Sequence, residues 1–255
     1  PPMWSHERQA KILELLVRDG KVLTNDLAGL FDVSRETVRR DLLEMETGGS
    51  LNRVYGGAIM PGAEIQPEPA FAQRLAARAQ VKDAIAAKAC ELIPADATLM
   101  IDTGTTTLAF ARALLARRDV SVITNSIEIA LLAASTERGQ VLLLGGRPHR
   151  DVPGTYGEMT LAEIDRFRVD FAIISPVGLH HHHGAMDYEL HEAEIARAMM
   201  RRAKSRVMLC DSSKIGMESR VSICSLAEID HLVTDAEAPP PLPKGEIHCA
   251  RGPAS

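Results

Sequence analysis

Two sets of side chains in this sequence could do chemistry, and they lie far apart in the chain. The first is the run Ser34-Arg35-Glu36-Thr37-Val38-Arg39-Arg40-Asp41-Leu42-Leu43. Arginine carries a planar fork that grips guanine O6/N7 or clamps a phosphate. On a helix, Arg35, Glu36, Arg39 and Arg40 fall mostly opposite an apolar stripe of Val38, Leu42, Leu43 and Met45. Ser34 is a good N-cap, because its hydroxyl accepts from an orphan amide of the first turn. Ser34, Arg35, Glu36, Thr37, Arg39 and Arg40 are therefore candidate contacts to duplex DNA, although a solvated charged face would have the same composition. The second set is Asp102-Thr103-Gly104-Thr105-Thr106-Thr107, which follows an apolar strand and opens a helix. Gly104 permits close backbone approach, and threonine hydroxyls with first-turn amides together hold an anion such as phosphate. A threonine-rich helix cap is the plainer reading. Thr124-Asn125-Ser126 and Gly145-Gly146-Arg147 end two further strands. All three ends converge if those strands are parallel neighbours.

The elements that must position these groups follow from periodicity. Residues 6–19 read as a helix ended by Gly20, with a short extended piece at 21–23, a second helix opened by Thr24, and a tight connection at Asp32-Val33. Two short helices with the second rich in arginine make a helix-turn-helix. Alternation over 51–59 around Gly56-Gly57 predicts a hairpin wing, from which Arg53 and Tyr55 could reach phosphates or the minor groove. Proline and glycine at 60–69 give a hinge composition, and 71–93 reads as one long alanine-rich helix. From Ala97 onward the pattern alternates strand and helix, which gives an open α/β sheet with ligands expected at the carboxyl ends of its strands. The division expected is 1–60 for the winged head, 61–75 for the hinge and the start of the connecting helix, and 76–255 for the effector domain.

Composition limits the alternatives. The chain has 255 residues and a formal net charge of −5, so a broadly basic nucleic-acid coat is excluded, while a local positive patch is not. Cys90, Cys210, Cys224 and Cys249 are scattered without a CxxC pair, which suits free thiols in a reducing cytosol. No apolar run approaches the ~20 residues of a membrane span, and Pro1-Pro2-Met3-Trp4 lacks a signal-peptide pattern. A cytoplasmic protein is expected.

Val33 to Leu42 and Arg53-Val54-Tyr55-Gly56-Gly57-Ala58 closely resemble the winged helix-turn-helix of the DeoR family of bacterial sugar-metabolism regulators. The rear half is similar to that family's effector domain through Asp102/Gly104/Thr105/Thr106, Thr124/Asn125, Gly145/Gly146, Asp187 with Glu192, and Asp211/Ser213/Lys214. The resemblance stops in the proline-rich tail after Ala236. It implies a rear fold like that of ribose-5-phosphate isomerase and, as allosteric effector, a phosphorylated sugar or sugar acid. Asp102, Gly104, Thr105, Thr106, Thr124, Asn125, Gly145, Gly146, Arg147, Asp187 and Lys214 are the implied effector contacts, with Lys214 on a ligand oxygen or phosphate. Double-stranded operator DNA is the implied partner, bound by a homodimer or homotetramer so that two heads meet two half-sites. No cofactor and no membrane partner are expected.

Two features depart from that pattern. His180-His181-His182-His183 stands where relatives have a turn with Asp and Gly. Successive side chains in a turn diverge, so a solvated loop is expected there and no metal site. Pro176 stiffens a strand end where a ligand contact would lie. The competing class is an enediol isomerase, which needs a positioned carboxylate base and oxyanion-stabilising groups. Glu192, Asp187 and Lys214 are its candidates, but the sequence does not assemble them, and a DNA-reading head would be idle on an isomerase. A regulator and not an enzyme is expected.

Overall fold

The computed structural model describes residues 3–54, 56–61, 67–137 and 139–250. The head comprises α1 (Ser5–Asp19), β1 (Lys21–Leu23), α2 (Thr24–Phe31), α3 (Arg35–Thr47), β2 (Asn52–Val54) and β3 (Gly57–Ile59). Gly20 (φ 75°) and Asp32 (φ 52°) end α1 and α2 in the left-handed region. Ile12, Leu16, Leu27, Val38, Leu42 and Leu51 form the buried centre of the head. Asp41 pairs across the fold, accepting from Arg8 Nε at 2.6 Å and from Ser5 Oγ at 2.8 Å. It thus clamps α3 to α1. β1 joins the wing, in the order β1-β3-β2.

The helix predicted over 71–93 is broken in two: α4 (Phe71–Ala76) and α5 (Ala79–Cys90). The break falls at Arg78 (φ 55°), whose guanidinium reaches Asp211 at 3.1 Å, Ser212 Oγ at 2.7 Å and Asp235 at 3.0 Å. Tertiary ion pairs override the helix propensity of the alanine-rich run.

The remaining elements are β4 (Thr98–Ile101), α6 (Thr105–Leu115), β5 (Ser121–Thr124), α7 (Ile127–Ala134), β6 (Gln140–Leu143), β7 (Arg147–Pro148), β8 (Thr155–Tyr156), α8 (Glu158–Ile164), β9 (Val169–Ile174), β10 (Gly178–His180), β11 (Gly184–Asp187), α9 (Leu190–Arg202), β12 (Ala203–Leu209), β13 (Val221–Cys224), β14 (His231–Thr234) and β15 (Glu246–Cys249). Seven strands form one sheet in the order β15-β14-β12-β9-β4-β5-β6, and every pairing in it is parallel. Its central strands β4, β5 and β9 are short apolar runs largely buried on both faces, as parallel sheets require, while the edge strands β6 and β15 stay partly exposed. Leu99, Ile101, Ile173 and Val233 pack with α5 and α6, while Met100, Ala172, Ile174 and Met208 pack with α9. The chain leaves β4 toward β5 and β6, then returns on the other side at β9, so the switch of strand order lies between β4 and β9. β10, β11 and β13 make a small sheet beyond it. The tail supplies an edge strand absent from the sequence reading: β15 pairs with β14, and His231 Nδ1 lies 3.0 Å from His248 Nε2 across them.

The head docks on the rear domain through the end of β2. Arg53 is 5% exposed, and its guanidinium donates to the carbonyls of Ile215 and Ser213. Beside it, Glu46 Oε1 accepts from the Arg53 amide at 2.8 Å. Gly216 (φ 77°) lies against both, and a Cβ there would collide with the Glu46 carboxylate. Burial pushes the Glu46 pKa up to about 7 against the pull of Arg53. A carboxyl raised in the native state stabilises the fold at acid pH, and that contribution is lost as pH rises from its ordinary 4.5 toward about 7. At about 1.4 kcal/mol per unit, the loss is at most roughly 3 kcal/mol. Denaturant unfolding at pH 5 and pH 7.5 should therefore show a smaller pH difference for Glu46→Gln than for the wild type. Equal pH differences would remove Glu46 from this account.

Candidate functional site

One polar pocket sits at the switch point. β4 delivers Asp102, Gly104 and Thr105, the segment after β9 brings Ser175 and Val177, and the turn after β12 brings Lys214. Asp187 comes from the end of β11, Glu192 from the first turn of α9, Tyr156 from β8, and Glu68 and Arg74 from the stretch joining the two domains. The groups close on a cavity of about 20 Å³, room for one water molecule.

Charge in the pocket is set by burial. Asp102 accepts from the Thr103 amide at 2.8 Å, yet desolvation, reinforced by Glu192, pushes its pKa up to about 8. Burial raises Asp187, reinforced by Glu192, and burial raises Glu192 although Asp187 works against it. Burial works against the Lys214 ammonium, but Glu68 and Asp211 outweigh it and its pKa rises. Lys214 Nζ donates to the Pro176 carbonyl at 2.7 Å and lies 3.5 Å from Glu68, which pairs with Arg74 at 2.9 Å. Behind them Lys82 is pushed down to about 8, first by burial and then by Lys214. The lining thus sets the basic side chains of Arg74 and Lys214 against the carboxyl groups of Glu68, Asp102, Asp187 and Glu192.

Of the residues predicted to contact an effector, Asp102, Gly104, Thr105, Asp187 and Lys214 share this pocket. The others are placed differently. Thr106 is buried in α6. Thr124 Oγ1 donates to the Ile101 carbonyl at 2.6 Å, tying β5 to β4. Asn125 braces the loop behind the pocket, accepting from the Thr103 amide at 3.2 Å and donating to Thr155 at 3.3 Å. Gly145 and Gly146 end a strand two places from β4 and carry the chain past α8; the Gly145 carbonyl accepts from Thr160 Oγ1 at 2.6 Å. Arg147 lies exposed on β7 beside a neighbouring hollow with Gly157, Glu158 and Met159. The sequence reading missed Glu68, Arg74, Tyr156 and Ser175. Only the proline-flanked carboxylate in Pro67-Glu68-Pro69 carries a signal, since proline fixes the backbone on both sides of it.

In the head, Ser34 caps α3 by accepting from the Thr37 amide at 3.1 Å. Arg35 and Glu36 are exposed, Thr37 and Arg39 half-buried. Arg39 lies 3.2 Å from Glu36, and Arg40 reaches Glu237 of the rear domain at 3.3 Å. Arg53 is not a free arm toward phosphates, because its guanidinium is buried against the Ser213 and Ile215 carbonyls. Tyr55 lies outside the described residues. The histidine run forms the β10–β11 turn and is not simply solvated: His180 is buried and its Nδ1 accepts from the amides of His182 at 3.2 Å and His183 at 3.3 Å. Burial and the neighbouring rings push its pKa down to about 4.

A winged helix-turn-helix docked on a parallel-sheet domain with a polar pocket defines a ligand-responsive DNA-binding regulator. The family described as the DeoR C terminal sensor domain matches residues 77–236, and the DeoR-like helix-turn-helix domain matches 8–63. The glycerol-3-phosphate regulon repressor of Escherichia coli (strain K12) is 34% identical over 92% of each chain. The HTH-type transcriptional repressor GlcR of Bacillus subtilis (strain 168) is 34% identical over 91% of this chain and 89% of its own. This chain belongs to the DeoR family of transcriptional regulators. Ribose 5 phosphate isomerase A from Neisseria gonorrhoeae superposes with a TM-score of 0.40 at 19% identity, over 55% of this chain and 53% of that one, a likeness that says nothing of activity. Among the described residues, no helix is long and apolar enough to cross a membrane.

At Gly146 (φ 142°) a Cβ would collide with the Thr160 hydroxyl and the Tyr156 backbone. Gly146→Ala is therefore expected to cost more than about 2 kcal/mol, read as a lowered denaturant midpoint. An unchanged midpoint would remove the packing role assigned to this glycine.

Proposed function

We propose that the chain represses genes of sugar metabolism in the cytoplasm, and that a phosphorylated sugar or sugar acid bound among Asp102, Gly104, Thr105, Asp187, Glu192 and Lys214 releases it from its operator. Arg35, Arg39 and Arg40 are the proposed contacts to bases and phosphates, with Ser34, Glu36 and Thr37 positioning them. Two heads of a homodimer or homotetramer meet two half-sites. The relative named for a glycerol-3-phosphate regulon supports a small phosphorylated polyol as the class of effector.

The observation that carries this reading is the turn Ser212–Lys214. It aims Lys214 into the pocket, while the carbonyls on either side of Lys214, at Ser213 and Ile215, accept from Arg53 of the wing. A ligand that re-engages Lys214 therefore acts on the same short backbone that seats the head. It shifts the arrangement only by its differential affinity for the two states.

The raised carboxyls of Asp102, Asp187 and Glu192 beside Lys214 favour a second reading, an isomerase of the same sugar phosphates. Turnover of ribose 5-phosphate would support it; the regulator reading expects none.

Three variants separate the roles. Arg39→Ala is expected to cost about 1–3 kcal/mol of operator binding while the thermal shift given by sugar phosphate stays. Thr105→Val with Lys214→Met should lose the thermal shift and keep operator affinity. Arg53→Met should keep both binding events, but the ligand should no longer weaken operator binding. A ligand effect of wild-type size in Arg53→Met would sink the proposed route.

A further inference from the structure

The pocket is closed by the chain that leads to it. Glu68 stands between the head and α4, its side chain 12% exposed, with Lys214 3.5 Å away on one side and Arg74 2.9 Å away on the other. Its Oε1 is buried and has no hydrogen-bond partner among the described residues, facing Lys214 only through the longer ion pair. Arg74 also donates from Nε to the Pro69 carbonyl at 3.0 Å, so one guanidinium holds both the carboxylate and the backbone beside it. With Glu68 seated, its carboxylate stands between Lys214 and Arg74, and the cavity of about 20 Å³ admits one water and no sugar phosphate. With Glu68 withdrawn, Lys214 and Arg74 lose the carboxylate they share, which leaves a seat for an anion between two basic side chains.

We infer that the Glu68 carboxylate is a tethered occupant of the effector's anion seat. The effector is an anionic polyol whose charged end replaces Glu68 between Lys214 and Arg74, while its hydroxyls take the carboxyls of Asp102, Asp187 and Glu192. The inference rests on the sensor reading of the pocket proposed above. It adds that binding is an exchange: the ligand enters only as Glu68 leaves, and Glu68 takes with it Pro67, Pro69 and the start of α4. The segment connecting to the DNA-reading head is thus rearranged by occupancy itself. An uncharged polyol cannot drive the exchange, because it offers nothing to the two cations that Glu68 abandons.

The test uses the full chain, with isothermal titration of inorganic phosphate, glycerol 3-phosphate, ribose 5-phosphate and uncharged glycerol into the wild type and Glu68→Gln. A phosphorylated probe that binds the wild type should bind Glu68→Gln at least tenfold more tightly, and glycerol should show no such gain. Hydrogen exchange without ligand should show the amides of Gln73 and Arg74, which bond to Ala70, at least tenfold less protected in the variant. If Glu68→Gln does not fold, Glu68→Asp, whose carboxylate stops a methylene short of Lys214, should show the same gain in affinity. Equal or weaker affinity in the variant, or unchanged protection, overturns the exchange and leaves the sensor reading standing. Binding of no phosphorylated probe by either protein overturns the sensor reading, and the exchange with it.

Discussion

The guanidinium of Arg53 is the contact on which the two-part architecture depends. It leaves a wing strand of the head, is buried, and ends on two carbonyl oxygens that bracket Lys214. An arginine cannot shed its proton at these pH values, so it can be buried only where acceptors meet it. A buried cation stripped of its acceptors costs several kcal/mol. The head therefore cannot slide gradually over the rear domain; it is docked on those carbonyls or it is elsewhere. Gly216 completes the constraint, because only a residue without Cβ lets the turn come this close to Glu46.

The same logic orders the pocket. Among the described residues, four carboxyl groups converge where two basic side chains face them. The conflict is relieved by burial, which pushes Asp102 up to about 8 and raises Asp187 and Glu192, and by ion pairing of Glu68. Protonated carboxyls donate as well as accept, which suits recognition of hydroxyls better than a ring of carboxylates would. A parallel sheet makes this possible, since the carboxyl ends of β4, β9 and β12 open on one side and bring together residues a hundred positions apart.

Much of this was legible in the chain. The cap at Ser34, the left-handed stop at Gly20 and the alternating strands and helices are local signals, and they lie where periodicity puts them. Asp102, Gly104 and Thr105 were read from the strand end itself and Asp187 and Lys214 through family resemblance, and the fold brings them together. What stayed hidden is long-range. The helix break at Arg78 is caused by Asp211 and Asp235, which no window around Arg78 contains. Arg53 looks like a wing arginine in sequence, and only the arrival of Ile215 makes it a structural one. Gly145 and Gly146 look like an anion loop, but strand order puts them two strands away from the switch point. Glu68 read as linker because the flanking prolines signal a fixed backbone but not which groups the carboxylate will meet.

The ion pair between Arg40 and Glu237 carries a consequence for ionic strength. It is 3.3 Å long and open to solvent on both sides, so it contributes little stability and is screened by salt. Arg40 is also one of the proposed groups for a DNA phosphate, and a phosphate that takes it takes it from Glu237. Added salt thus loosens the rear domain's hold on α3 while it weakens the attraction of α3 for DNA. The two effects oppose each other, and operator affinity should fall less steeply with salt concentration than the number of arginines on α3 would give.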